Sequence, residues 1–195
     1  MTRTPLILAS GSKHRAALLR SAQVSFEQHA SEVNEEELKK DRDIKTLAMF
    51  LAKEKARAIS AIRPDALVLG ADQVLLCQER AFDKPRTMVE AKEHLNRLRG
   101  RTHTLETALC VMTNKQEIWS HLETPKLTMR QFSDAFLDHY CQSAGEEILT
   151  SVGGYQIEGF GVQLFEAIEG DTFSIQGLPL IPLLKFLQEQ GLVEN

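Results

Sequence analysis

The chain has 195 residues, of which 43% are hydrophobic and 26% are charged, and its formal net charge is −4. These values are ordinary for a globular protein, and the length suits one large domain or two closely joined lobes. The acidic balance excludes a general attraction to nucleic acid, so a site for a polyanion has to be a local cluster of basic residues.

Cysteine usage and the N-terminal segment indicate a cytoplasmic protein. Cys77, Cys110 and Cys141 are too widely spaced for a disulfide framework or a zinc site, and they are typical of core residues in a reducing compartment. Residues 1–10 lack the pattern of a signal peptide, and no apolar stretch approaches the ~20 residues of a membrane span.

The predicted elements alternate between strands and helices. Short apolar runs predict buried strands, and apolar residues spaced three or four apart predict helices. Thr87 and Glu90 have the spacing of a capping box, and Asn114-Lys115 is predicted as a hairpin turn. In chain order, the predicted elements are strand 6–9, helix 13–22, helix 44–62, strands 66–70 and 74–77, helix 87–98, strands 104–113 and 118–130, helix 133–141, strand 152–168 and helix 180–190. This alternation indicates an α/β fold with a mixed sheet.

The first candidate site is the turn at residues 10–12, which follows the first predicted strand. Lys13, His14 and Arg15 then open a helix, where basic side chains run against the helix dipole. They are favourable there if an anion is bound, because free amides at a helix N-terminus bind anions. A serine N-cap with solvated charges is the alternative, and the segment is not a P-loop.

Lys55 lies among the apolar residues of helix 44–62, on the face that carries Leu47 and Leu51, whereas Lys53 faces water. The predicted face also includes Ile44, Ala48, Ala58 and Ile62. A lysine in an apolar stripe is costly unless its stem reaches water or its charge is paired. Either the side chain snorkels outward, or it is aimed at phosphate or at a catalytic carboxylate.

Asp72 follows the buried strand 66–70, and the carboxyl end of such a strand is where α/β proteins place ligands. The small residues Gly70 and Ala71 are expected to leave room beside it. An aspartate that caps a turn is the alternative interpretation. Lys84, in a charged turn close behind, is expected to be solvated when considered alone.

The glycine-rich stretch 153–161 permits tight bends and close approach of a ligand, but it lacks the order of a dinucleotide fingerprint. Glu158, within it, could accept hydrogen bonds from the edge of a base. The acidic run at residues 32–37 is typical of a solvated loop, although one of its carboxylates could help to hold a metal ion.

Taken together, these segments resemble the Maf family of nucleoside triphosphate pyrophosphatases. Each motif is weak alone, but their shared order from residue 6 to about residue 187 is specific. The matching positions are Ser10, Ser12 and Arg15 of an S-x-S-x-x-R signature, Glu35 of an acidic motif, Lys55, Asp72, Lys84-Pro85, the G-x-x-H segment at 100–103, the glycine stretch at 154–161 and Gly177-Leu178-Pro179.

The resemblance implies a single domain over residues 1–195, with an elongated mixed sheet, flanking helices and two lobes around a central cleft. It implies hydrolysis of a nucleoside triphosphate to a monophosphate and pyrophosphate. Asp72 would be the general base, and Glu35 with Asp72 would hold a divalent cation, Mg²⁺ or Mn²⁺. The residues implied to bind the triphosphate are Ser10, Ser12, Arg15, Lys55 and Lys84.

The resemblance also bears on the base of the substrate. Gln73 after the aspartate and Glu158 in the glycine stretch match the branch that resembles 7-methyl-GTP pyrophosphatases. A carboxylate suits the N1–H and N2–H donors of guanine and the positive charge of a methylated ring. His14 stands where that branch has a stacking aromatic residue, and Asn34 stands where many members have an aspartate before Glu35. We expect a methylated or otherwise modified purine nucleotide; a dTTP- or UTP-preferring enzyme is the alternative.

Two other classes of protein stay open at this point. One is a nucleotide-binding regulator of cell division that does not cleave its ligand, and the other, disfavoured by the acidic balance, is a nucleic-acid binder. The expected partner is a nucleoside triphosphate, with neither nucleic acid nor a membrane. A homodimer is left open as the oligomeric state.

Overall fold

In the computed structural model, which describes residues 4–194, strands alternate with helices as the sequence predicts. The strands in this range are β1 (Leu6–Leu8), β2 (Glu27–Gln28), β3 (Leu67–Cys77), β4 (Arg80–Phe82), β5 (Thr102–Thr113), β6 (Gln116–Glu123), β7 (Lys126–Met129) and β8 (Phe165–Glu169). The helices are α1 (Lys13–Ser21), α2 (Glu35–Lys39), α3 (Leu47–Ile62), α4 (Met88–Leu98), α5 (Asp134–Ala144), α6 (Thr172–Ile175) and α7 (Leu180–Glu189). The described strands pair both parallel and antiparallel, so the predicted mixed α/β fold is confirmed.

The described residues form two compact units. The first contains residues 4–73, 107–123 and 171–194, and the second contains residues 74–106 and 124–170. Strands β3 and β5 therefore contribute one part to each unit. The elongated outline and the cleft implied by the family resemblance stay predictions.

The first unit is built on a parallel arrangement in which β1 pairs with both β2 and β3. Strand β5 follows β3 in the sheet and pairs antiparallel with β6. Asn114 and Lys115 both have positive φ, as the predicted hairpin turn requires. One hydrophobic core joins β1, β3 and β5 to α1 and α7. Its buried members are Leu6, Leu8, Ala16, Leu19, Val24, Leu67, Leu69, Ala71, Leu109, Val111, Leu178, Leu180, Leu183, Phe186 and Leu187.

Helix α3 touches strand β3 at Gly70, where any side chain would collide with the helix. A Cβ added at Gly70 would lie 2.0 Å from the backbone oxygen of Ala52. The expectation that Gly70 leaves room for a ligand is therefore wrong, because the space is filled by the helix. The apolar face predicted for α3 does not extend to Ile62, which is 69% exposed. Lys55 lies on the buried face of the helix, as predicted.

The second unit combines antiparallel strands with two capped helices. Strand β4 pairs antiparallel with β3, and β7 pairs antiparallel with both β5 and β8. The side chains of Thr87 and Ser133 accept hydrogen bonds from the backbone amides of Glu90 and Phe136, which caps α4 and α5. Both helix starts agree with the sequence prediction.

The glycine stretch corrects the predicted strand at 152–168. Only its end is a strand, β8, and the rest forms 3-10 turns at Val152–Gly154 and Gly159–Leu164. Gly153 and Gly154 have positive φ, and a Cβ at Gly154 would lie 3.2 Å from Ala91 of α4. These glycines therefore let a turn pack on a helix, so the periodicity of a strand is lost.

Three further predictions change in detail. The predicted strands 66–70 and 74–77 are one strand, β3, and the predicted strand 118–130 is divided into β6 and β7. The division falls at Pro125, which has no amide hydrogen for strand pairing. Residues 35–37 of the acidic run open the short helix α2, whereas Glu32 precedes that helix.

Among the described residues, no helix has the length and apolar character needed to cross a membrane. Cys77, Cys110 and Cys141 are free thiols, and the first two are buried. Residues 1–3, part of the segment considered for a signal peptide, lie outside the described residues.

Candidate active site

Asp72 and Lys55 form a buried ion pair at the contact between β3 and α3. Lys55 Nζ lies 2.5 Å from Asp72 Oδ1, and each side chain is 9% exposed. Asp72 Oδ2 makes no hydrogen bond to any residue within 4–194, so one carboxylate oxygen remains for a ligand or water. The close approach at Gly70 places these two residues together, because it seats the helix directly on the strand.

Lys55 also contacts Glu35, the first residue of α2. Its Nζ lies 2.8 Å from Glu35 Oε1, and the Glu35 side chain is 42% exposed. The side chain of Asn34 caps this helix by accepting a hydrogen bond from Glu37 N. One ammonium group therefore joins a buried and a half-exposed carboxylate, which decides against the snorkelling alternative for Lys55.

Arg15 is directed inward from the first turn of α1. Its Nε donates to Gly177 O at 2.8 Å, and Nη1 donates to Ala71 O at 3.0 Å and to Ser10 Oγ at 3.2 Å. Within residues 4–194 these partners are all uncharged, and Nη2 makes no hydrogen bond to the protein. The guanidinium group is thus held by two of its three nitrogens, and it makes no direct ion pair with these partners.

The two serines of the opening signature have different local roles. Ser12 is the N-cap of α1, where its Oγ accepts from Arg15 N at 3.4 Å. Ser10 is buried and its Oγ accepts from Ser12 N and from Arg15, so the hydroxyl proton remains available to an acceptor. The N-cap alternative is correct for Ser12, and His14 is exposed as that alternative expects, but Arg15 does not fit it.

Burial and charge act against each other at this cluster. Burial raises the pKa of Asp72, and the positive charges of Lys55 and Arg15 oppose that shift without cancelling it. Burial also lowers the pKa of Arg15, against the attraction of Asp72 and Glu35. A carboxylate with a raised pKa beside cations is suited to accept a proton near neutral pH.

Gln73 uses its amide group inside the protein. Its Nε2 donates to Thr107 Oγ1 at 2.8 Å, to Ser174 O at 3.0 Å and to Ile175 O at 3.1 Å. The amide hydrogens are therefore engaged, whereas Oε1 makes no hydrogen bond within the described residues, and the predicted contact of Gln73 with substrate stays a prediction. The sequence interpretation missed Thr107, in strand β5, and Ser174, in the short helix α6, since a single buried hydroxyl gives no periodic signal.

Lys84 and Glu158 belong to the second unit. Lys84 is exposed in the turn before the buried Pro85, and the neighbouring Asp83 O accepts a hydrogen bond from Gly153 N at 3.3 Å. Glu158 lines a pocket of about 210 Å³; its other lining residues include Tyr140, Ser143, Glu147, Gln156 and Phe160. The predicted substrate contacts of Lys84 and Glu158 stay predictions.

The cluster in the first unit can bind an anion and take a proton from water. Arg15 offers a positively charged guanidinium group whose Nη2 is available, and Asp72 offers a carboxylate oxygen with no protein partner in the described range. Between residues 4 and 194, no preformed group of three or more His, Cys, Asp or Glu side chains could hold a metal ion.

Comparison with known proteins identifies relatives over nearly the full length. A family model described as Maf-like protein matches residues 5–190. A nucleoside triphosphate pyrophosphatase of Rhodospirillum rubrum is 48% identical, over 97% of this chain and 96% of that protein. A 7-methyl-GTP pyrophosphatase of Rhizobium meliloti is 44% identical, over 97% and 98% respectively. A solved nucleoside-triphosphatase / dITP/XTP pyrophosphatase from Mycobacterium abscessus has a TM-score of 0.45 at 15% identity, over 94% of this chain and 100% of that one.

Proposed function

The chain belongs to the Maf family, and from this premise we propose that it hydrolyses a nucleoside triphosphate between the α and β phosphates. The products are a nucleoside monophosphate and pyrophosphate. The observation that carries the proposal is Asp72, a buried carboxylate beside Lys55 and Arg15 with one oxygen that bonds to none of the described residues. A protein that only binds nucleotides does not need a base at this position.

Asp72 takes the proton from the attacking water in this mechanism. Oδ1 is held by Lys55, which leaves Oδ2 to accept a hydrogen bond from water. The water oxygen bonds to the α phosphorus, its proton passes to Asp72, and the bond to the bridging oxygen of pyrophosphate breaks. General-base assistance of this kind is worth about 10²–10⁴-fold in rate.

Arg15 neutralises charge on the triphosphate. Its guanidinium group is anchored through Nε and Nη1, so that the Nη2 group is preorganised and loses little freedom when it meets a phosphate oxygen. The proton of Ser10 can donate to the same anion. Lys84, in the second unit, is retained in the proposal as a phosphate ligand.

A divalent cation is part of the proposal, with Glu35 and Asp72 as its ligands. The two carboxylates contact the same ammonium group of Lys55, which places them in one charged cluster. Mg²⁺ is commonly held by one or two carboxylates together with substrate phosphates and water, which these residues fit. When bound, Mg²⁺ or Mn²⁺ would stabilise negative charge that develops on the phosphate oxygens.

For the base, we propose a purine with donors on its Watson–Crick edge, such as 7-methyl-GTP or another modified purine nucleotide. Glu158 supports this choice, because a carboxylate accepts from N1–H and N2–H and lines a pocket that also contains Tyr140 and Phe160. The Rhizobium meliloti relative carries the name of such an enzyme. A carboxylate would repel the carbonyl oxygens of a pyrimidine.

A cytoplasmic location belongs to the same proposal. The free thiols Cys77, Cys110 and Cys141 are compatible with a reducing compartment.

The test is a panel of nucleoside triphosphates, including methylated purines, incubated with the protein and Mg²⁺ or Mn²⁺. We expect equal amounts of monophosphate and pyrophosphate, with the highest kcat/KM for a methylated or modified purine. Orthophosphate with diphosphate would contradict the cleavage position. Tight binding without turnover across the panel would favour the regulator, and preference for dTTP or UTP would contradict the purine assignment.

A further inference from the structure

The backbone turn that ends at Gly177 anchors Arg15. Gly177 O accepts from Arg15 Nε at 2.8 Å, and Gly177 has a φ of 95°, a conformation that residues other than glycine rarely adopt. Gly177 N donates in turn to Ser174 O at 3.1 Å. The position of the Arg15 guanidinium therefore depends on where this turn is held.

Ser174 is the residue that holds the turn. It is fully buried, and its carbonyl accepts from Gln73 Nε2 at 3.0 Å and from Thr107 Oγ1 at 3.0 Å, in addition to Gly177 N. Its backbone amide donates to Asp171 Oδ2 at 2.9 Å. Both polar backbone atoms of Ser174 are thus used, and its carbonyl oxygen fixes it against the two strands that carry Gln73 and Thr107.

Thr107 is the centre of this network. It is fully buried, and its hydroxyl accepts from Gln73 Nε2 at 2.8 Å while it donates to Ser174 O. Only a side chain that both donates and accepts can complete this link. Gln73 directly follows Asp72, the proposed general base, in β3. The network therefore connects the strand that carries Asp72 to the turn at Gly177 that anchors Arg15.

We propose that Thr107 and the amide nitrogen of Gln73 position Arg15, acting through Ser174 and Gly177. This inference rests on the proposed function, because it assigns Arg15 to the triphosphate. Thr107, which is fully buried, therefore affects all nucleoside triphosphates alike, through the triphosphate that they share.

Thr107→Val is the first variant, because valine keeps the shape and strand preference of threonine but lacks the hydroxyl. The Gln73 amide would retain two carbonyl acceptors, and Ser174 O would retain two donors, so no buried group loses its last partner. Thr107→Ser is the matched control that retains the hydroxyl. Gln73→Met, which keeps length without hydrogen bonds, tests the network independently if Thr107→Val does not fold.

We expect kcat/KM to fall about tenfold or more in Thr107→Val and Gln73→Met, since small displacements of a binding group carry losses of this order. Thr107→Ser should stay within about twofold of wild type. In an Arg15→Ala background, Thr107→Val should have no further effect. Additive losses in the double variant, or a Gln73→Met enzyme whose base preference alone changes, would overturn the proposal.

Inorganic triphosphate, titrated calorimetrically into the full chain, separates this inference from the proposed function. Weaker binding in Thr107→Val and Gln73→Met but not in Thr107→Ser supports positioning, even if wild type cleaves no nucleotide. Equal affinity in all four proteins would overturn it, even if wild type is an active pyrophosphatase.

Discussion

The two units of the molecule bury polar side chains in different ways. In the first unit, Asp72 and Lys55 are buried as a charged pair, with Arg15 fixed nearby by uncharged oxygens. In the second, His103 is buried against Tyr155, with 2.7 Å between His103 Nε2 and the tyrosine oxygen. Burial lowers the pKa of His103 to about 4, so the imidazole is neutral at physiological pH.

This difference between a charged and a neutral buried pair distinguishes the candidate active site from the structural core. Buried charges are expensive to desolvate, and an apolar pair of similar volume is often equally stable, so stability alone does not explain the cluster around Asp72. A neutral pair such as His103 and Tyr155 satisfies its hydrogen bond and packs with Phe165 like other core residues. The buried charge around Asp72 therefore indicates chemistry, whereas the neutral pair of His103 and Tyr155 is explained by structure alone.

The comparison predicts its largest effect at Asp72. Asp72→Asn removes the proposed base, and we expect kcat to fall by about 10²–10⁴-fold while nucleotide binding stays measurable. Steady-state pyrophosphate release, together with calorimetric binding of the nucleotide, measures both. Asp65→Asn, at an exposed position of the same unit, is the control with unchanged kcat. Wild-type turnover in Asp72→Asn would remove Asp72 from the base role.

Gly70 tests whether the charged pair depends on the approach of α3 to β3. Gly70→Ala would place a Cβ against the backbone of Ala52, and we expect the free energy of unfolding to fall by about 3 kcal/mol or more. Gly11→Ala is the matched control, because its Cβ would meet only Ala30 at 3.7 Å. Chemical denaturation of both variants gives the measurement, and equal stabilities would show that the helix can move away freely.

The pH dependence of stability tests whether His103 is buried in its neutral form. Its pKa is about 4 in the folded protein, below the usual 6.5, so the unfolded chain takes up a proton first as the pH falls. The stability that this group contributes is present above pH 6.5 and is lost between about pH 6.5 and 4, by roughly 3 kcal/mol.

His103→Gln should reduce that pH dependence, since glutamine can hydrogen-bond to Tyr155 without titrating. His139→Gln, at an exposed position, is the control that keeps it. Denaturation curves between pH 7 and about 4 make the comparison. If the free energy of unfolding changes with pH in His103→Gln as it does in wild type, His103 is not buried in its neutral form.

The smallest predicted effect concerns the choice of base. Glu158→Gln replaces the carboxylate that we propose accepts from guanine, and we expect the preference for guanine-type bases to fall by about tenfold. Glu147→Gln, which lines the same pocket, is the matched control. The measurement is the ratio of kcat/KM for a methylated purine and a pyrimidine nucleotide. The same ratio in Glu158→Gln and wild type would mean that Glu158 does not read the base.

Local signals in the sequence predicted much of the fold. The start of α4 at Thr87 and that of α5 at Ser133 follow from capping residues, and the hairpin at Asn114 follows from its turn residues. The glycine stretch was predicted wrongly as a strand, because positive φ and contact with Ala91 are not visible in an apolar pattern. Such contacts depend on a helix that lies elsewhere in the chain.

For the candidate site, the sequence by itself determined that Lys55 lies on a buried helix face and that Asp72 is next to buried strand residues, although Asp72 lies within β3 and not at the end of the strand. Those placements follow from periodicity, which acts over a few residues. Only the tertiary structure decided which atoms meet. Arg15 donates to Gly177, which is 162 residues away, and the amide nitrogen of Gln73 donates to Ser174 O. The reason is physical, because a hydrogen bond between distant residues exists only once packing has brought their backbones within reach.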